Sequence, residues 1–316
     1  MRQILALSVL AATLAFQPAF GAQKEVVLGA DNPGGSYYLY GGGISTWINE
    51  HSKSLRMTSQ TTRGSVENAR LLTNSRLDFG LVNAIATYQQ RHGVGQFKGR
   101  PSEKLRGIAA LDSAPLHIVT YPSTGIKTLA DLANKRVSIG APGSGSATTA
   151  NYLFPLAGLT GKVRVQNLGF SESASNLRDG NVEAFFAASA LPLPAVVDLS
   201  STHQIVLLDI PQNLAQALHK ESPFYQPSEI PAGTYSKVNN PVHTVAVSSL
   251  LITRDDTPDE VVTELLNQIY TPEALSYMRS VYKAWDPRPG EAIFKDIEVP
   301  LHPAALKFYK EKGLIK

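Results

Sequence analysis

Apolar and polar positions along the chain alternate between two periods. Glu25–Leu28 is a short apolar run, and Tyr37, Gly41, Ile44 and Ile48 then recur at helical spacing. Leu55–Thr62 reads as a second strand, and a helix with Val66, Ala69 and Leu72 on one side follows it. Leu77–Val82 is a third strand. Ile108–Ala110 and His117–Tyr121 read as two more, and Ile126–Leu132 as a short helix. A second series begins at Val137–Gly140. A Gly/Ser turn at Ala141–Ser146 leads into a helix with Ala150, Leu153, Phe154 and Ala157 on one face. Strands at Val163–Leu168, Ala184–Ala188 and Ile205–Leu208 follow, with a helix from Ser171 to near Gly180 and another through Leu199. Pro211–Tyr235 is irregular apart from Leu214–His219. Val242–Thr253 is a long β-branched run, and helices starting near Thr257, Thr271 and Pro303 close the chain.

This alternation predicts an α/β fold with a largely parallel sheet. LLTNSRLDFGLV (Leu71–Val82) and NLRDGNVEAFFA (Asn176–Ala187) echo one another, each running from a helix end through a polar turn into an apolar strand. Leu116–Tyr121 and Val242–Thr253 flank the second series, as expected of a chain that leaves one domain, builds another and returns. A cleft between the two would receive helix starts led by Ser36, Ser65, Ser144–Ser146 and Ser171.

Composition narrows the function. Arg2 precedes an apolar run, Ile4–Phe16, too short to span a bilayer comfortably, with small residues around Ala22. We expect residues 1–22 to be a secretory signal peptide, against the rival of an uncleaved anchor. No Cys occurs, so neither lipidation of a Cys nor a disulfide framework arises. Lys and Arg total 29 against 26 Asp and Glu, with no basic run, which argues against nucleic acid as a partner. No later segment is apolar enough to span a membrane. The seven His form no i, i+3 or i+4 pair, no Gly-x-Ser-x-Gly elbow occurs, and no metal or cofactor is expected.

The turn at Ala141–Ser146 is neither a P-loop, since Ser146 rather than Lys follows Gly145, nor a dinucleotide turn, since Thr148 stands three residues on. Ser144 and Ser146 both suit an N-cap, and Gly143 and Gly145 permit close backbone approach. The stretch suits a small anion such as a carboxylate, or no more than a capped helix start. Arg63, beside Gly64-Ser65, reads either as a partner for an anionic ligand or as a surface charge.

These residues resemble the TAXI class of solute-binding proteins, which serve tripartite ATP-independent periplasmic (TRAP) transporters. The matching pieces are GGSYY (Gly34–Tyr38), GSVEN (Gly64–Asn68), DLANKRVSIGAPGSGS (Asp131–Ser146), DGNVEAFF (Asp179–Phe186), IPAGTY (Ile230–Tyr235) and HPAALKFYKEKGL (His302–Leu314). The resemblance implies a bilobed, type II-like periplasmic-binding-protein fold with two hinge-crossing strands. Residues 23–117 and 245–316 would form one domain and 118–244 the other. It implies a monomeric, non-enzymatic periplasmic protein that takes a glutamate-like amino acid or a dicarboxylate to TRAP membrane subunits. A sensor subunit and an enzyme on the same architecture are the rivals. Carried over, the site draws on Ser36, Tyr38, Ser65, Asn68, Asn83, Ser144, Gly145 and Ser146, with Arg63 beside them. Ala188-Ser189-Ala190 departs from the Gly common in that family before the Pro-containing turn.

The exported protein is expected to begin near Ala22 or Gln23. Intact-mass measurement on the secreted form checks this, and retention of Arg2 and Ile4 would contradict it.

Overall fold

The computed structural model describes residues 23–316; the expected leader lies outside the described residues. The chain opens with β1 (Lys24–Gly29), α1 (Ser36–His51), β2 (Leu55–Gln60), α2 (Ser65–Thr73), β3 (Phe79–Asn83) and α3 (Ala84–His92). β4 (Leu105–Thr120) leads into the second series. This comprises β5 (Arg136–Ser138), α4 (Gly145–Leu156), β6 (Arg164–Gln166), α5 (Phe170–Arg178), β7 (Ala184–Ala188), α6 (Pro194–Thr202), β8 (Val206–Leu207), α7 (Gln212–Glu221) and β9 (Gln226–Ile230). β10 (Val242–Arg254) returns, followed by α8 (Asp259–Ile269), α9 (Pro272–Val281), α10 (Glu291–Asp296) and α11 (Pro303–Glu311).

The strands run in the order β2-β1-β3-β10-β4-β7-β5-β6, with β9 beside β10 and β8 beside β4. Within each lobe the pairs β1–β2, β1–β3, β5–β6 and β5–β7 are parallel, as the βα alternation requires. Every pair made by β4 or β10 is antiparallel, so the sheet is mixed rather than largely parallel. β3 is buried at all positions, fitting a strand covered on both faces. One face packs Tyr40, Ile44 and Ile48 of α1 against Leu265 of α8, Met278 of α9 and Phe308 of α11. In the other lobe α5 and α6 close over Val119, Phe185 and Ala187.

The two echoing sequences become the same unit twice over. Leu71–Val82 carries the end of α2 into β3, which runs antiparallel beside β10. Asn176–Ala187 carries the end of α5 into β7, which runs antiparallel beside β4. The crossing strands change partner along their length. β10 lies beside β9 over Val242–Ala246 and beside β3 over Ser249–Thr253, with a register irregularity against β4 between Ser248 and Leu250. β4 gains β7 from Leu116 onward.

Several local expectations are corrected. β4 is one 16-residue strand, not two; the polar pair Asp112-Ser113 coincides with a register irregularity in its ladder with β10, and the strand continues through it. α3 and β9 were not anticipated. Ser171 is not the cap of α5: Gly169 holds that position, and Ser171 sits one residue inside the helix. Thr257 does not cap α8, whose preceding residue is Pro258 with no side-chain cap.

Asn68, fully buried on α2, ties the ends of β1 and β3 together. Its Nδ2 donates to Ala30 O at 2.7 Å and Leu81 O at 2.8 Å, with Gly29 O at 3.2 Å sharing one of the two hydrogens. Asn68→Ala strands these carbonyls away from water and is expected to cost about 3 kcal/mol. Chemical denaturation checks this; a loss below about 0.5 kcal/mol would show the tie to be dispensable.

Candidate functional site

The site forms where helices start at the carboxyl ends of parallel strands. A helix start leaves backbone N–H groups unpaired and carries partial positive charge, so convergent starts suit an anion. Here α1, α2 and α4 begin at one cavity between the lobes, lined by Ser36, Ser65, Asn83, Ser144, Gly145 and Ser146 among others.

Each start is built by local sequence. Gly64, at φ 102°, turns the chain into α2, and Ser65 Oγ accepts from Asn83 N at 3.1 Å. Asn83 ends β3 and caps α3, its Oδ1 accepting from Ala86 N at 2.8 Å. Gly143, at φ 80°, turns into α4; Ser144 is the cap, accepting from Ala147 N at 3.1 Å. Ser146 is therefore not a cap. Its hydroxyl accepts from Ala188 N at 2.9 Å, fixing the end of β7 against α4.

The lobes touch across the cavity. Ser36 N donates to Ser189 Oγ at 3.0 Å, and Ser189 Oγ donates to Ser36 Oγ at 3.0 Å. Val66 N, free at the start of α2, donates to Gly143 O of the other lobe at 3.1 Å. Phe170 N, at the start of α5, donates to Asn32 Oδ1 at 2.7 Å. A Cβ on Gly145 would stand 2.5 Å from Asn83 Nδ2, so the close approach of the lobes requires glycine there. The enclosed space available to the centre of a water molecule is about 20 Å³, room for little more than one. In this arrangement the space does not admit a ligand larger than water.

Six of the nine anticipated residues thus meet at one cavity, and three do not. Tyr38 is 41% exposed. Neighbours on a helix point about 100° apart, so Tyr37 faces inward in its place. Arg63 is exposed, its backbone N–H bound to Glu67 Oε2 at 2.6 Å, and it does not line the cavity. Asn68 lies a turn below Ser65, committed to the strand ends.

The cavity also has lining the sequence reading did not single out. Ala188 and Ser189, part of the stretch that departs from the TAXI pattern, form one wall, and Thr149, Phe170, Ala114 and Val247 add others. Tyr37 places its hydroxyl by Ser65 and Ser249, and burial raises its pKa, keeping it a neutral phenol. Asp31 is 7% exposed and is pushed up to about 7, chiefly by loss of hydration. Its position just beyond β1, at the carboxyl end of a parallel strand, was the available signal. Among the described residues no Lys or Arg lines the cavity. A larger groove of about 610 Å³, walled by Tyr88, Tyr152 and Phe224 and edged by Glu221, Asp296 and Glu298, takes Ile85 near the start of α3 rather than a convergence of helix starts.

Among known families, the NMT1-like family matches residues 28–313. The chain belongs to the NMT1-like family. Solved structures agree on the fold. A protein from Bordetella bronchiseptica RB50 superposes with a TM-score of 0.58 at 13% identity, over 92% of this chain and 98% of that one. The periplasmic binding protein BugD gives 0.57 at 10% identity, over 92% and 98%. An R. palustris protein solved with adipate gives 0.55 at 14% identity, over 90% and 95%. This NMT1-like protein therefore has the bilobed periplasmic-binding-protein fold, as expected from the sequence.

Gly145→Ala is expected to loosen the shut cleft. Amide exchange at Val66, whose N–H crosses between lobes, should quicken about tenfold or more, while β3 stays protected. Gly42→Ala, where an added Cβ meets nothing within 4 Å, is the control. Exchange at Val66 equal to wild type would show that the approach to Asn83 does not govern closure.

Proposed function

We propose that this NMT1-like protein is a periplasmic solute-binding protein. It captures a small carboxylate-bearing ligand, a glutamate-like amino acid or a dicarboxylate, and delivers it to TRAP transporter membrane subunits. The observation that carries the reading is the convergence of the α1, α2 and α4 starts on one interlobe cavity lined by neutral hydroxyls and an amide. The TAXI-like motifs support the TRAP assignment, and the adipate solved with the R. palustris protein supports a carboxylate.

The ligand's carboxylate would take the N–H groups at these starts when the lobes part, and hold the lobes together when they shut. We place the pivot where the crossing strands change partner, near Ser113–His117 on β4 and Thr244–Ser248 on β10. This gives one lobe from residues 23–117 and 245–316 and another from 118–244. An enzyme is disfavoured by how the serines are used. Ser144 Oγ holds a helix start, Ser146 Oγ holds Ala188 N and Ser65 Oγ holds Asn83 N, so each serves as an acceptor for backbone rather than as a nucleophile paired with a base. Among the described residues no helix is long and apolar enough to cross a membrane. The protein would therefore meet its membrane partners by docking.

A thermal-shift panel of amino acids and dicarboxylates tests the reading. A true ligand at about 100 times its Kd should add about 2.7 kcal/mol to stability. The best ligand, followed by NMR during prolonged incubation, should remain chemically unchanged; its catalytic conversion would overturn the binding-protein assignment.

A further inference from the structure

We propose that the cleft selects a zwitterion: the ligand carries an amino group that pairs with Asp31, while its carboxylate lies at the helix starts. The inference rests on the binding-protein reading and decides between the two ligand classes left open there. The site so assigned is an ammonium subsite made by one buried carboxylate.

The observation is an acid with nothing to neutralise it. Asp31 lines the same cavity as Ser65, Ser144 and Gly145 and is more than nine-tenths buried. Its Oδ1 accepts from Asn32 N at 2.7 Å and Asn32 Nδ2 at 2.6 Å; its Oδ2 accepts from no group among the described residues. The ionisable groups acting on it or acted on by it are Glu67 of α2 and Tyr37 of α1, and neither supplies positive charge. Gly64 leaves the carboxylate uncovered, since a Cβ there would stand 3.1–3.3 Å from its atoms.

Asp112, another acid of this lobe, differs in having a cation near it. Its Oδ2 accepts from Tyr40 OH at 2.5 Å while its Oδ1 has no hydrogen-bond partner among the described residues, and the charge of Arg288 counteracts part of its burial. Asp31 has its Asn32 bonds but no cation among the described residues acting on it. Buried charges are kept when they are paired, and an unpaired one facing a ligand cavity points to a pair completed by the ligand. A dicarboxylate would bring two further negative charges to a cavity that has no Lys or Arg and already holds Asp31. An amino acid brings the missing cation beside the carboxylate that the helix starts accept.

Calorimetric titration of L-amino acids against their deaminated counterparts, glutamate against glutarate for example, tests the proposal. On wild type the amino acid should bind about tenfold or more tightly than its counterpart. Asp31→Asn, which keeps the acceptor for Asn32, should bring that ratio to about one or reverse it. A second readout needs no variant. Titration at pH 7 in two buffers of different ionisation enthalpy should show proton release on amino-acid binding, because pairing holds Asp31 ionised. Equal or tighter binding of the deaminated acids, with proton uptake, would overturn the ammonium subsite and leave the binding-protein reading standing. Failure of every amino acid and every acid to bind folded wild type would overturn both.

Discussion

β4 and β10 pair with each other from Leu105 beside Arg254 to Pro115 beside Ala246, and the two lobes are built outward from that ladder. Antiparallel pairing of two long strands fixes their relative position through many backbone hydrogen bonds. β10 then offers its edge to a different lobe at each end, while β4 takes its further partners from Leu116 onward. β3 and β9 share β10, and β7 and β8 extend β4. The parallel strands of each lobe inherit their direction from these edges, and so their helices start on the side facing the other lobe. The cleft follows from the sheet and does not need loops designed to reach it.

The lining follows the same economy. Helix starts supply donors without side-chain charge, and serines and Asn83 organise those starts rather than adding charge of their own. Asn83 ends a strand, caps a helix and sets the distance to Gly145, so one residue joins fold and site. Asp31 is the exception, a carboxylate left without a cation in a cavity otherwise neutral.

Much of this was legible in the sequence where period and punctuation agree. Ala184–Ala188 was bounded correctly because an apolar run sits between Gly180 and the Pro-containing turn. β4 was read as two strands because Asp112 and Ser113 look like a turn by composition, and only pairing with β10 shows that the strand continues. β9, QPSEI, has little apolar content and owes its strand geometry to β10. The serines that line the cavity are picked out by their place before helical patterns. Arg63 and Tyr38 lie off the cavity for a different reason: motif membership says that a segment reaches it, and only the helix phase and turn geometry say which side chain points there. Asn68 was caught by the same motif, and its role is set by carbonyls of two strands that no local reading brings together. Asp31 escaped because a lone acid before Asn-Pro-Gly reads as ordinary turn chemistry.

The interlobe contacts are of a kind that would let such a cleft shut tightly and still open. Val66 N, Phe170 N and Ser36 N are helix-start donors that, in the shut arrangement, are satisfied by Gly143 O, Asn32 Oδ1 and Ser189 Oγ of the opposite lobe. When the lobes part, water takes the same donors. Exchanging a protein acceptor for water changes free energy by only about 0.5–1.5 kcal/mol per bond, so these contacts orient the lobes without locking them. The balance between open and shut is then poised within reach of a ligand that touches both sides. Such a ligand shifts the population only by the difference between its contacts in the two states. On the proposed reading a carboxylate would make that difference large, because it would displace Gly143 O and Ser189 Oγ from the α2 and α1 starts on one side of the cleft while also meeting α4 on the other.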